Sequence, residues 1–211
     1  VEIRTGFDTR LDRIGDLGLY RTNERRRVST VRRDAVTEWS GSLFGEARIE
    51  PVEWLSLVAG LRGDLFAFDV NTRAGVDANF GSGGEVDGLV SPKLAVIVRP
   101  HEDFELYWNG GGGYHSNDAR GTTTQVDPVD PLARQWGTEF GGRWQPSSLV
   151  HFTSVVWFLK SESELVFVGD AGTTEPSERS ERFGVELTGF LRPVPWLALD
   201  ASYSWSNARF D

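Results

Sequence analysis

The sequence predicts an all-β chain: an antiparallel meander of long strands forming part of a transmembrane β-barrel. Three observations lead there. A proline-centred motif recurs four times, as Glu50-Pro51-Val52-Glu53-Trp54-Leu55, Arg99-Pro100-His101-Glu102-Asp103-Phe104, Gln145-Pro146-Ser147-Ser148-Leu149-Val150 and Arg192-Pro193-Val194-Pro195-Trp196-Leu197, with the prolines 49, 46 and 47 residues apart. Each copy ends one run of alternating apolar and polar residues and starts the next, so it reads as a tight turn between two strands. The other ends of those strands are joined by longer, polar, glycine-rich stretches. Short turns on one side and long loops on the other are the asymmetry of an outer-membrane barrel.

The strands follow in order. Val1, Ile3 and Phe7 alternate with Glu2, Arg4 and Asp8, and read as the end of a first strand. From Trp39 to Pro51, the residues Trp39, Gly41, Leu43, Ala47 and Ile49 share a face opposite Ser40, Ser42, Glu46, Arg48 and Glu50. After the turn, Leu55, Leu57, Ala59, Leu61, Leu65 and Ala67 oppose Ser56, Gly60, Arg62 and Asp64. Leu94, Val96 and Val98 oppose Lys93, Ala95 and Arg99; Phe104, Leu106 and Trp108 oppose Glu105, Tyr107 and Asn109. Trp136, Phe140 and Trp144 oppose Glu139, Arg143 and Gln145. Val150 to Glu162 carries bulky residues on both faces; Val155, Trp157 and Leu159 are expected outward, with Lys160 and Glu162 inward. Phe183, Val185, Leu187 and Leu191 oppose Arg182, Glu186, Thr188 and Arg192, and finally Leu197, Leu199, Ala201, Tyr203 and Trp205 oppose Asp200, Ser202 and Ser204. This gives about nine strands, longer than the ~5–6 residues usual in globular sheets and long enough for the ~9–11 of a tilted membrane strand.

Trp54, Phe104, Trp144 and Trp196 lie beside the short turns, where girdle aromatics belong. The long connections are expected over roughly 9–36, 70–89, 116–134 and 163–181. Loops of that length are usually functional or disordered.

Composition narrows the function. At 39 % hydrophobic and 25 % charged the chain looks like an ordinary soluble protein, which is no objection to a barrel, because only alternate residues of its strands meet lipid. No apolar run approaches the ~18 residues of a membrane helix. The formal charge of −9 and pI near 4.9 argue against nucleic acid as a partner. Absence of cysteine rules out disulfides and thiolate chemistry. The chain starts at Val1 with no basic and apolar leader, which an exported barrel needs; a processed chain or a piece of a longer one is therefore expected.

His115-Ser116-Asn117-Asp118 brings a His, a Ser and an Asp within four residues. Neighbours on an extended strand point to opposite faces, and a nucleophile needs a base aimed at it. The segment therefore reads as a strand giving way to a loop, with Asn and Asp bonding the turn. No catalytic residue is expected. Gly110 to Gly113 precede no helix and no Lys-Ser/Thr pair, so they mark a bend or a close approach rather than a phosphate loop. Asp77, Asp127, Asp130 and Asp170 lack calcium-loop spacing, and three scattered histidines support no metal site; no cofactor is expected.

Several segments together resemble a known family. Ser91-Pro92-Lys93-Leu94, then Gly112-Gly113-Tyr114-His115-Ser116-Asn117-Asp118-Ala119-Arg120-Gly121, then Ser163 to Ser177, then Arg182-Phe183-Gly184-Val185-Glu186-Leu187 occur in this order between the proline turns. They resemble the barrel of TonB-dependent outer-membrane receptors, most densely over residues 90–211. The resemblance implies a barrel of about 22 strands closed around an N-terminal plug domain. It implies coupling through a TonB box to the inner-membrane energy complex, and import of a scarce small-molecule nutrient, most often a ferric siderophore. It also implies that residues 1–211 are an internal piece of the barrel, about two-fifths of it, without the plug and the final strands. The partners it implies are the nutrient, the protein's own plug, TonB and outer-membrane lipid.

A soluble β-propeller, whose blades also repeat every ~40–50 residues, and a small outer-membrane barrel enzyme or adhesin are the competing readings. The long loops lie opposite the proline turns, so a ligand enters there. His115, Asn117, Asp118 and Arg120 are the candidate ligand-binding residues at this extracellular mouth. Arg120 is suited to a bidentate contact with an anion and Asp118 to fixing its guanidinium; alternatively, the pair braces the loop.

Overall fold

A computed structural model describes residues 1–75, 81–124, 128–163, 165–168, 173–176 and 179–210. Nine strands form one antiparallel sheet: β1 (Glu2–Asn23), β2 (Arg26–Val52), β3 (Leu55–Gly75), β4 (Gly83–His101), β5 (Phe104–Ser116), β6 (Leu132–Ser147), β7 (Val150–Ser161), β10 (Ser180–Val194) and β11 (Leu197–Phe210). A one-turn helix α1 (Ala119–Thr122) lies between β5 and β6, and a separate hairpin of β8 (Leu165–Val168) and β9 (Thr173–Pro176) between β7 and β10. One continuous meander is not a propeller, and that reading falls. The sheet is open among the described residues: β1 and β11 each pair on one side.

All four proline motifs make the same turn. The closing pairs are Val52 with Leu55, His101 with Phe104, Ser147 with Val150 and Val194 with Leu197, each just after a break in register that contains the proline. Proline has no N–H to give a ladder, so it fits where pairing is already interrupted. The residue before it still donates. Arg99 N–H bonds the carbonyl of Trp54, Gln145 N–H that of Asp103 and Arg192 N–H that of Leu149, each at 2.8 Å. The repeat is thus a pinned strand end that also ties each turn to the next hairpin.

Register carries one face across the sheet. Ile49, Leu57, Val96, Trp108, Phe140, Val156, Val185 and Trp205 are successive partners on β2 to β11. One residue away, Arg48, Val58, Ala95, Asn109, Glu139, Trp157, Gly184 and Ser206 form the matching row of the other face. The apolar face is the exposed one: Phe7, Leu43, Leu61, Val90, Leu94, Phe140, Val156 and Tyr203 are each more than half open. The polar face is the crowded one, burying Ser56, Asp64, Phe68, Ala95 and Tyr107. Curvature toward the polar face explains the crowding. It also leaves a recess on that face among Glu2, Arg4, Glu46, Arg48, Lys93 and Asn109. In water such an apolar face would be an aggregation surface; against lipid tails it costs nothing, as in a barrel wall.

Cross-strand polar pairs fill the inner face. Lys93 Nζ donates to Glu46 at 2.8 Å. Arg62 reaches Asp8 and Asp64, both at 2.9 Å, and Ser42 at 2.7 Å. Glu105 receives Arg99 at 3.0 Å and Arg143 at 2.9 Å. The expected outward set (Leu57, Leu61, Val96, Leu106, Phe140, Leu187, Leu199) and inward set (Glu46, Arg62, Lys93, Glu105, Glu139, Arg143, Glu186, Asp200) fall on opposite faces as read from the alternation.

Strand β7 corrects its expectation. Val155, Trp157 and Leu159 lie on the inner face, and Phe152, Val156, Phe158 and Lys160 share the outer one with Trp144, Phe140, Thr138 and Trp136. Lys160 stands at the loop-side end of that face, bonded to Glu181 at 2.6 Å, and Glu162 lies beyond the strand. The bulky inward side chains fit because glycine faces each of them: Gly141 opposite Val155, Gly184 opposite Trp157, Gly137 opposite Leu159.

The long connections are shorter than expected. Residues 9–36 are strand, closed by a two-residue turn at Glu24 and Arg25 with φ of 47° and 65°. Glu2 to Asp8 is therefore the start of a 22-residue strand, not the end of another. Most of 70–89 is also strand, up to Gly75 and again from Gly83. Register slips after Ile14, Leu19 and Arg21 break the period-two pattern that would have shown this in the sequence.

Candidate ligand-facing segment

Residues 117–124 and 128–131 turn inward over the loop-side end of the polar face. The glycine run prepares the turn. A Cβ at Gly111 would stand 2.9 Å from the carbonyl oxygen of Pro92, so the strands approach closely there; the ladder between β4 and β5 ends at that residue. Beyond it, Tyr114 packs edge-on against Phe66 of β3, ring centres 5.5 Å apart.

Asp118 caps α1, accepting the N–H of Arg120 at 2.9 Å. Its carboxylate also takes the Arg120 guanidinium in a fork, Nε at 3.0 Å and Nη2 at 2.6 Å. Burial pushes the Asp118 carboxyl up, but the bonds and charge of Arg120, with the charge of Arg32, outweigh it and hold the group below its usual range. Arg120 is shifted up, chiefly by its bond to Asp118 and further by Asp34.

The helix is anchored by apolar contact. Ala119 joins Val36, Phe68 and Val70 in the one buried apolar cluster among the described residues, with Leu17 and Phe66 beside it. Below that cluster, Asp34 is fully buried, taking Arg32 Nε at 2.6 Å and the Thr72 hydroxyl at 2.8 Å. Thr122 and Thr123 both return their hydroxyls to the Ala119 carbonyl, and β9 approaches the helix.

The four candidate residues are adjacent in the structure but differ in setting. His115 is exposed at the end of β5, opposite Ala133. Asn117 is 3 % exposed; its Nδ2 donates to the Asp130 carbonyl at 2.7 Å and its N–H to that of Pro131 at 2.9 Å, closing the base of the segment. Asp118 and Arg120 are half-buried and bonded to one another. The sequence reading missed α1, the Asp34 site and Tyr114. Asp118 followed by Ala119 is the usual start signal of a helix, whereas the Asp34 site arises only from pairing two strands, β2 and β3. Of the residues weighed for calcium, Asp77, Asp127 and Asp170 lie outside the described residues and Asp130 is exposed. Among the described residues no three acidic or histidine side chains converge.

An open meander of long strands, apolar outside and polar inside, defines a membrane β-barrel wall. Residues 3–211 match the family described as "TonB dependent receptor-like, beta-barrel", and the chain belongs to it. It is accordingly a protein of the bacterial outer membrane, in a family of receptors rather than enzymes. No curated protein matches the sequence. Among solved structures it is similar to the ferric-catecholate import receptor Fiu from K12 E. coli (TM-score 0.67, 12 % identity, 99 % of this chain, 34 % of that one). It is also similar to the ferric yersiniabactin uptake receptor FyuA from Yersinia pestis (0.70, 16 %, 87 % and 29 %) and to the copper transporter OprC (0.73, 15 %, 99 % and 35 %). The chain thus spans about a third of the length of these structures.

Proposed function

We propose that the chain is part of the barrel wall of an outer-membrane receptor that binds a scarce nutrient, with a ferric siderophore as the first candidate, and imports it with energy relayed through its own plug and TonB. Residues 1–211 make up about two-fifths of such a barrel of about 22 strands. The observation that carries the reading is the inverted pair of faces, an exposed apolar wall around a charged, cross-linked interior, in a chain of this family. The folds similar to it include receptors named for ferric-catecholate and ferric yersiniabactin uptake, and a copper transporter.

The ligand approaches from the side opposite the proline turns. There His115 and Arg120 face the ligand path, while Asn117 and Asp118 hold the backbone and the guanidinium in place. Arg120 presents a charge already oriented by Asp118, suited to an anionic ferric complex.

Deletion of the gene should abolish TonB-dependent accumulation of at least one labelled ferric siderophore in iron-starved cells, and restoring it should recover uptake. In the full-length receptor, Arg120→Ala should weaken binding of that siderophore about tenfold with barrel heat-stability unchanged. Uptake of every ferric siderophore tested at the wild-type rate would remove iron as the cargo. Unchanged affinity would leave Arg120 as a brace.

A further inference from the structure

The Asp118–Arg120 pair stands over other charges. Arg32, Asp34, Val36 and Glu38 alternate along the inner face of β2. Ala119 seats its methyl group against Val36, with Phe68 and Val70 alongside. Its two neighbours reach the residues that flank Val36. Arg120 feels the charge of Asp34, and Asp118 acts on Glu38. The first is an opposite-charge contact; the second sets carboxylate against carboxylate.

Other cations do little to relieve that second contact. Arg32 attracts Asp118, but its Nε is committed to the fully buried Asp34 at 2.6 Å. Asp12 and Arg10, which also act on Glu38, carry opposite charges. Asp118 is therefore held among acidic groups by the Arg120 fork. Packing adds little to the hold. Ala119 is the one residue of α1 in the apolar cluster, and the Thr122 and Thr123 hydroxyls are spent on the carbonyl of Ala119 itself. With Arg120 in place, the Asp118 carboxylate keeps the turn down. Without that partner the same carboxylate, half-buried near Asp34 and Glu38, pushes the turn away. The Arg120 side chain is 22 % exposed, open enough for a second anion to compete for it.

We propose that α1 is a latch held shut by Arg120: an anion that takes the guanidinium from Asp118 expels the turn from the β2–β3 wall and uncovers the inner face beneath it. The trigger rests on the reading of Arg120 as a ligand-facing residue; the charge reversal under it does not.

The test is hydrogen exchange of the full-length receptor folded into lipid vesicles, read by mass spectrometry over residues 119–124. The amides of Gly121, Thr122 and Thr123 are bonded within α1, and a single undocked turn does not keep such bonds. Arg120→Gln should speed their exchange at least about tenfold. Asp118→Asn keeps a capping side chain. It should speed exchange when Arg120 is present and slow it in the Arg120→Gln background, a reversal of sign. Glu38→Gln should also slow exchange in that background, whereas Glu139→Gln, elsewhere on the inner wall, should not. A brace gives no such reversal. Unchanged exchange in Arg120→Gln, or no slowing by Asp118→Asn and Glu38→Gln in its background, would overturn the latch. Inorganic pyrophosphate, at ionic strength matched with chloride, serves as the anion. It should speed exchange of the wild type about tenfold and leave Arg120→Gln unchanged. An equal response of the two proteins, or none in either, would overturn the anion trigger. No arm uses an iron complex, so failure here leaves the uptake reading standing, and failure of uptake leaves the latch to these measurements.

Discussion

Tyr107 lies flat across Gly141, its directly opposed partner on the next strand, so closely that a Cβ at 141 would overlap the ring. The Arg143 guanidinium covers the ring's other face, 4.8 Å from its centre. The same arrangement recurs on the inner wall where Phe44 faces Gly6 and Trp157 faces Gly184. A flat ring shields the backbone that glycine leaves bare and keeps the wall thin. Gly141→Val should therefore destabilise the folded barrel by about 1–3 kcal/mol through overpacking. Combined with Tyr107→Ala it should cost less than the sum of the two single changes. Urea unfolding of the receptor in lipid vesicles measures both.

The β1–β2 tip places Glu24 and Arg25 in left-handed backbone, which a two-residue hairpin turn requires and which Asn-Gly adopts more readily. Glu24→Asn/Arg25→Gly should slow amide exchange at Thr22 and Arg27, corresponding to about 1–2 kcal/mol of added hairpin stability. Hydrogen-exchange mass spectrometry checks this.

The two faces of β7 should respond oppositely to charge. Val156→Arg should cost about 2–4 kcal/mol near the bilayer midplane, and Val155→Arg, one residue away on the inner face, far less. Folding titrations into vesicles compare them.

Docking of α1 should depend on pH through Asp118. Its carboxyl is shifted down in the folded protein, so its contribution is complete above the ordinary value near 3.9 and is lost as pH falls through the lower, folded value. Limited proteolysis within 117–131 should be flat from pH 7 to pH 5 and should rise only below about pH 4. Asp118→Asn should remove that step and leave the segment more readily cut at every pH.

Much of this fold was legible in the sequence because a barrel wall obeys a local rule. Leu61, Leu187 and Leu199 alternate cleanly with charged or small neighbours, and the proline motif marks every short turn. The rule failed where local sequence is silent. Trp157 and Val155 look outward by bulk, and only their opposing glycines, far off in the chain, turn them inward. Past Arg13 the register slips break the alternation, so β1 and β2 ran on unseen to Arg33. The candidate segment was located by its Asn and Asp, but its anchoring by Ala119 against Val36 and Val70 depends on three strands meeting beneath it.

The central claim is that the exposed apolar face meets lipid and the polar face does not. Single-tryptophan versions of the full-length receptor, retaining Trp108 or Trp157, can be folded into vesicles containing bromine-labelled lipid. Trp108 shares the outer row with Phe140, and Trp157 lies inward with its Nε1 donating to Glu186 at 3.1 Å. Fluorescence of Trp108 should be strongly quenched and that of Trp157 nearly unaffected. Quenching of Trp157 equal to or greater than that of Trp108 would contradict the assignment of faces.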